Sequence, residues 1–344
     1  SEKFPERTEY EHAVFRAAQL TVQMGGESPA PEQNAEAMAL YAKAAEAEDP
    51  KLKASALLGM GIVDFRAADF PGALEAFRAA ASVTNGGEAV EQALFMSAEA
   101  LLALGREAEA VQAAQSIIDK HSDSPWYSEA VFWMGRRSFN NGDCVASEKF
   151  FQQFVESWPL DLKADDALLF MSYSMYIDRR YQDSIDAAMK IVSDYPAGGC
   201  VEMAQFIHAE ALCELLQFDA AILVYDVVLQ TTKNDALRRR AMSRRGDCLF
   251  TLGSDNADRY NESIAAYEAV LADSGTLLLD TVLQCEYKIG RSLESAGRTS
   301  AAFERYYSKV ILRFEEEVRA DPDVANTPSR LWYSRAVFGA ADIS

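Results

Sequence analysis

Residues 124–159 read SPWYSEAVFWMGRRSFNNGDCVASEKFFQQFVESWP. Small and apolar residues run through Phe132 and Gly135, then through Ser147, Phe151 and Phe154, with Asn141-Gly142 between the two runs. Spacings of three and four place side chains on one face of an α-helix, and an Asn-Gly pair marks a turn. Ser124-Pro125 suits a helix start, with serine as cap and proline in the first turn. Trp158-Pro159 suits a stop, because proline lacks the amide and disfavours helix in the residue before it. The stretch therefore encodes two helices, A and B, joined by a short turn.

The pattern repeats outward in both directions. Gly135 has counterparts at Gly61, Ala98, Ser172, Ala209, Gly246 and Gly290; five successive intervals are 37 residues, and the last is 37 plus a seven-residue insertion. A second ladder on helix B reads Ala73, Ala110, Ser147, Ser184, Ala221, Ser263 and Ala302. A third reads Phe77, Ala114, Phe151, Ala188, Tyr225, Tyr267 and Tyr306. A fourth reads Ala80, Ile117, Phe154, Ile191, Val228 and Val270, then breaks at Lys309. Small residues let two helix backbones approach, and large neighbours fill the groove between them. A fixed period of this length marks a repeat architecture. Helix A tends to end near Gly105, Asn141-Gly142, Gly253 or Gly297, and helix B runs into Asp49-Pro50, Asn85-Gly86-Gly87, Trp158-Pro159 or Tyr195-Pro196.

These residues resemble the tetratricopeptide repeat: a small residue in helix A, Ala or Ser twelve residues later, an aromatic four beyond that, and proline near the end. The resemblance covers about residues 35–310 and implies an all-α, right-handed solenoid of about eight hairpins. The expected hairpins are about 10–50, 54–86, 91–123, 128–160, 165–197, 202–233, 238–274 and 282–314, in one array over 1–344. The Trp-Pro and Tyr-Pro endings are similar to those of bacterial envelope proteins of this class, the Tol–Pal-associated periplasmic type and the outer-membrane-assembly lipoprotein type. That implies a periplasmic or envelope location, with the cytoplasm as the alternative. Residues 36–48 (EAMALYAKAAEAE) read as a helix B, with 10–24 as its helix A and the loop GGESPAPEQN between them. Residues 315–327 read as a long loop or extended helix end, and 329–341 as a capping helix or a helix A cut short.

Composition narrows the function. The 344-residue chain has a net charge of −20. A nucleic-acid partner requires lysine and arginine to displace counterions, and an anionic membrane surface has the same requirement, so neither is expected. No apolar run approaches the roughly 18 residues that span a bilayer, so no direct membrane insertion is expected. The opening SEKFPERTEY has neither Met nor an apolar leader core, as expected of a chain whose leader is cleaved or whose ends are trimmed. The five cysteines form no C-x-x-C pair and read as free, mostly buried thiols.

No catalytic motif, cofactor motif or metal-ligand spacing emerges, and the chain reads as a non-enzyme. His12, His121 and His208 lie in different repeats, and His208 sits in an apolar packing slot. Gly59-Met60-Gly61 lies inside a helix, where it cannot cradle phosphate. Asp165-Asp166 and 315–317 read as solvated acidic surface.

The resemblance implies a concave face lined by helix A. Counted from the small residue, three before gives Leu58, Phe95, Phe132, Leu169, Phe206, Ser243 and Tyr287; one after gives Ile62, Glu99, Arg136, Tyr173, Glu210, Asp247 and Arg291. Four after gives Phe65, Leu102, Phe139, Tyr176, Cys213, Phe250 and Glu294. Large apolar groups interleaved with charges suit a peptide groove, although each ring can equally pack between repeats. The candidate partner-binding residues are Phe95, Glu99, Phe132, Arg136, Phe139, Tyr173, Tyr176, Phe206, Arg240, Arg244, Phe250, Tyr287 and Arg291. The chaperone-type carboxylate clamp of some family members is not expected, because Phe, Leu, Glu or Tyr occupy its positions in most repeats.

Helix A of the sixth repeat reads ALRRRAMSRRGD, with five arginines within eight residues. The cluster can grip a carboxylate-rich peptide by bidentate contacts, or neutralise acidic helices around Asp219, Asp226 and Asp258; the second role is preferred. The sequence thus reads as a scaffold for a protein or peptide partner. A self-associating structural subunit, or the docking part of a larger enzyme or sensor, are the alternatives.

Overall fold

The computed structural model describes residues 5–26, 30–273 and 277–344. Among these, all regular structure is helical, in two compact units, 1–161 and 162–344. The first unit holds four antiparallel hairpins: α1 (Pro5–Gly25) with α2 (Pro31–Ala44), α3 (Pro50–Arg66) with α4 (Phe70–Ala81), α5 (Glu88–Ala103) with α6 (Glu107–Lys120), and α7 (Trp126–Asn140) with α8 (Cys144–Ser157). The second holds α9 (Ala164–Ile177) with α10 (Tyr181–Asp194), α11 (Val201–Glu214) with α12 (Phe218–Thr231), and α13 (Asp235–Leu252) with α14 (Asp258–Ala272). Its last hairpin pairs α15 (Leu279–Ser295) with a return arm of α16 (Thr299–Glu304), a π segment (Arg305–Ile311) and α17 (Leu312–Ala320). A 3₁₀ turn (Pro322–Asn326) leads to α18 (Ser329–Asp342), which packs on α15 and the π segment.

The ladders explain the hairpins. At Gly61 and Gly290 an added methyl would overlap the rings of Phe77 and Tyr306; at Gly135 and Gly246 it would lie 2.9 and 2.7 Å from Phe151 and Tyr267. Each glycine of the first ladder thus makes room for the third-ladder ring of its own hairpin. Where the small residue is Ala98 or Ser172, the opposing residue is Ala114 or Ala188, and all four are fully buried. Phe77, Phe151, Tyr225, Tyr267 and Tyr306 are 0–1 % exposed, and each such ring contributes on the order of 1.5–3 kcal/mol of burial. Ser172 and Ser184 add a reciprocal polar tie: each hydroxyl donates to the other's carbonyl, at 2.9 and 2.8 Å.

Six of the A-to-B turns share one backbone device, which the α13–α14 turn lacks, Gly253 there having φ −61°. Ala68, Gly105, Gly142, Arg179 and Leu216, spaced 37 residues apart, all have φ between 60° and 77°, and Gly297 follows at 74°. Each ends its helix with paired amide-to-carbonyl bonds, as where Arg106 N donates to Leu101 O and Gly105 N to Leu102 O, both at 2.9 Å. This is the left-handed cap that satisfies a helix's last carbonyls. Helix starts are capped in turn: Asp69 and Asp143 accept from the amides of Gly72 and Ala146, and Ser124 Oγ accepts from Trp126 N.

Two readings are adjusted. Helix α2 begins at Pro31, before the expected Glu36, because Gln33 Oε1 accepts the Ala30 amide and Pro31 fits a first turn. The expected loop therefore ends at Ala30; its residues 27–29 lie outside the described residues. The break at Lys309 is a shift of register: the π segment admits one extra residue, so Lys309 is exposed and Val310 is fully buried. Residues 315–327 form the end of α17 and a 3₁₀ turn.

Candidate functional site

The helix-A residues of the first unit are largely engaged in packing. Phe95 is 9 % exposed and lies 5.4 Å from the Trp126 ring. Phe132 meets Phe151 and Phe154 edge-on at 5.4 and 5.3 Å. Glu99, Phe132 and Phe139 are half-buried, and Arg136 is exposed.

In the second unit, Tyr173 is exposed and stacks on Tyr176 at 6.3 Å; Tyr176 also meets Tyr181 at 5.6 Å. Burial, with Glu210 and Glu214 nearby, pushes the Tyr176 phenol up to about 12. Phe206 is 1 % exposed, so its ring is a packing surface; the Arg240 guanidinium lies over it at 4.6 Å.

The arginines of α13 are mostly neutralised. Arg239 pairs with Asp273 at 2.9 Å, Arg244 with Glu210 at 2.7 Å and Arg245 with Asp226 at 2.6 Å; Arg238 pairs with Asp235. Asp226 is a partner expected from the sequence, whereas Asp219 pairs with Arg259 at 3.5 Å. Among the described residues Arg240 has no carboxylate partner, only the Phe206 face.

Helices α13 and α15 flank two adjoining clefts. One, of about 360 Å³, is lined by Arg239, Arg240, Arg244 and Lys288, with Ser243 and Gln284. The other, of about 520 Å³, is lined by Phe250, Tyr287, Arg291 and Arg335, and shares Asp247 and Lys288 with the first. Asp247 is spoken for: it accepts from Lys288 Nζ at 2.9 Å and from the Tyr267 hydroxyl at 2.7 Å. Arg291 lies over Phe250 at 5.9 Å and only 3.8 Å from Glu294. Arg335 lies over Trp332 at 5.1 Å and has no carboxylate partner among the described residues. Trp332 is fixed by its Nε1 donating to Asp280 at 3.0 Å and by ring contact with Tyr287 at 5.8 Å.

The structure thus places Arg240 and Arg244 in one cleft and Phe250, Tyr287 and Arg291 in the adjoining one. Sequence reasoning missed Lys288, which lies one residue after a sampled position, and Arg335, on a helix read as a cap or a helix A cut short. The signal for Arg335 was its place three residues after Trp332, on one helical face.

Asp165-Asp166 is corrected: Asp165 is 8 % exposed, not solvated. Its carboxylate accepts from Cys200 N at 3.4 Å while the Cys200 thiol donates to Asp166 at 3.0 Å, tying α9 to the turn before α11. These three residues place ligand atoms within 4.8 Å of one another, but the bonds between them account for the arrangement. No helix among the described residues is long and apolar enough to cross a membrane.

Residues 92–124 match the family model described as tetratricopeptide repeat. No curated protein matches the sequence. Among solved structures, the chain is similar to the C-terminal part of a TPR repeat-containing protein from Cytophaga hutchinsonii, at 15 % identity and TM-score 0.55, covering 76 % of this chain and 96 % of that one. It is also similar to PilF of Pseudomonas aeruginosa, at 16 % identity and TM-score 0.49, covering 68 % and 97 %. A third similarity, to a tetratricopeptide repeat protein from Parabacteroides merdae, has 13 % identity and TM-score 0.47, covering 83 % and 99 %. Tetratricopeptide-type helical hairpins build both units of this chain.

Proposed function

We propose that this chain is a protein-interaction scaffold whose α13–α15–α18 clefts take a carboxylate-bearing segment of a partner protein. The observation that carries the reading is two unneutralised cations, one in each adjoining cleft, in a chain of net charge −20. Arg240 and Arg335 lack carboxylate partners among the described residues, and each rests on an aromatic face that holds it in place. Phe250 and Tyr287 supply apolar floor beside Arg335, and Arg240 lines the adjoining cleft. Planar guanidinium groups bind carboxylates bidentately, and rings add contact area at low entropy cost. The hairpin fold supports the general role: it presents helix faces rather than a catalytic constellation. The envelope location implied by the Trp158-Pro159 and Tyr195-Pro196 endings belongs to this reading, and fractionation of the source cells tests it.

The binding test titrates fluorescent peptides rich in Asp and Glu, with neutral and basic peptides of equal length beside them. The acidic peptide is expected to bind, and Arg240→Ala with Arg335→Ala to weaken it about 100-fold, roughly tenfold for each charge-assisted contact. Melting is expected to stay near wild type. Equal binding by the double variant, or preference for the basic peptide, overturns the assignment.

A second reading is favoured by α18, where Phe338 is 71 % and Leu331 49 % exposed, seven residues apart on one face. Such a face suits a second copy of the chain. Light scattering that finds an oligomer dispersed by Phe338→Glu supports it, and a monomer at high concentration removes it.

A further inference from the structure

Two of the five free cysteines meet. Cys213, near the end of α11, and Cys248, in α13, have sulfurs 3.2 Å apart. They belong to the A helices of consecutive hairpins and lie 35 residues apart in sequence. Neither is explained by peptide binding: Cys248 is 2 % exposed, and Cys213 is half-buried.

The surroundings make the two sulfurs unequal. The Tyr225 hydroxyl is 3.7 Å from Cys213 and donates to Glu210, which also holds Arg244 at 2.7 Å. The hydrogen bond from Cys248, together with Tyr225 and Arg244, lowers the Cys213 thiol below its ordinary value, whereas Cys248 is pushed up. The thiolate is the nucleophile, so the more reactive sulfur is also the more accessible one. The remaining cysteines differ. Cys144, Cys200 and Cys285 are 6 %, 8 % and 1 % exposed. Burial raises the Cys285 thiol to about 12, and burial with Asp166 raises Cys200.

We propose that Cys213 and Cys248 form a thiol–disulfide site that, on oxidation by a small-molecule disulfide, cross-links α11 to α13. Cys213 thiolate attacks one sulfur of the disulfide, making a mixed disulfide and expelling one thiolate. Cys248 then attacks the Cys213 sulfur, closing the intramolecular bond and expelling the second. Two protein thiols are oxidised, one small disulfide is reduced to two thiols, and the two cysteine protons go to the leaving groups through solvent. The sulfurs need to approach by only about 1 Å to reach bonding distance. The link would pin neighbouring hairpins beside Arg244, and so fix one wall of the basic cleft.

The test incubates the folded full chain with oxidised glutathione, then counts thiols after denaturation and maps the linked peptides. Loss of two thiols, a Cys213–Cys248 link and recovery with a dithiol reductant are expected, with melting raised by roughly 5 °C. Cys248→Ser is expected to stop at one glutathione adduct on Cys213, and Cys213→Ser to stay unmodified over the same time. Five thiols remaining in the wild-type chain, or modification of Cys213→Ser at the wild-type rate, overturns the proposal. A link that leaves melting unchanged overturns the pinning of the two helices.

Discussion

Helices α5 and α13 hold the same place in their hairpins but are secured by different forces. Helix α5 buries Ala93, Phe95, Ala98, Ala100 and Leu101, with Ser97 turned back onto its own Ala93 carbonyl, so no ion pair among the described residues fastens its buried face. Helix α13 buries Leu237, Ala241, Gly246, Cys248 and Leu249, but its flanks carry arginines bonded to Glu210 of α11, Asp226 of α12 and Asp273 just past α14. One hairpin geometry therefore tolerates either fastening. Both leave space beside the helix, but the cleft along α5, lined by Leu94, Ser97, Leu101, Arg78 and Glu109, holds one cation already facing a carboxylate, whereas the cleft along α13 gathers Arg239, Arg240, Arg244 and Lys288.

The largest expected effect attacks the apolar seam. Gly61→Val drives a branched side chain into the Phe77 ring and is expected to cost about 3 kcal/mol in urea unfolding. A cost below about 1 kcal/mol would show that the glycine–ring fit does not hold the first unit together. Next comes the ionic seam. Glu210 is 13 % exposed, and Arg244→Met leaves its charge with the Tyr225 hydroxyl alone. The expected loss is about 2 kcal/mol, less than for a fully buried pair because Arg244 is a third exposed. Adding Glu210→Gln should return part of it, and a double variant no better than the single one would deny the pairing its weight.

The turns should respond in the opposite direction. Leu216 is held at φ 60° and is exposed, so Leu216→Gly should raise stability by about 1 kcal/mol, read from the denaturation midpoint. The same change at Gly105's neighbour Leu104, where φ is −80°, should bring no gain.

The smallest expected effect concerns His208 on α11. Burial lowers its pKa below 6.5, so the fold favours the neutral ring. That contribution is complete above the unfolded value and is lost as pH falls below it. Wild type should therefore lose more stability than His208→Gln between pH 7 and 5, by under about 1 kcal/mol. Parallel pH profiles would remove His208 from the balance.

The hairpins were legible because each depends on local spacing: Gly135 and Phe151 announce their fit sixteen residues apart. The left-handed turn was legible at Gly105, Gly142 and Gly297 but hidden at Ala68, Arg179 and Leu216, where surrounding structure imposes a conformation those residues do not prefer. The basic cleft was half legible. The arginine run in α13 stood out against an acidic chain, yet which arginine lacks a partner depends on helices 19 to 34 residues away. Asp165 was misread for the same reason, since its partner Cys200 lies in the next hairpin. The near-contact of Cys213 and Cys248 likewise needs two hairpins to be seen together.

The π segment has a geometric consequence for the last hairpin. Ala302, Tyr306, Val310 and Phe314 are all buried, one every four residues. On a regular α-helix such a row would wander by about 40° at each step, carrying Phe314 round the cylinder and away from Ala302. The wider π turn cancels much of that drift and keeps the row straight. A single straight edge can then serve two neighbours at once: Tyr306 lies against Tyr287 of α15 while Phe314 stacks on Tyr333 of α18 at 4.7 Å.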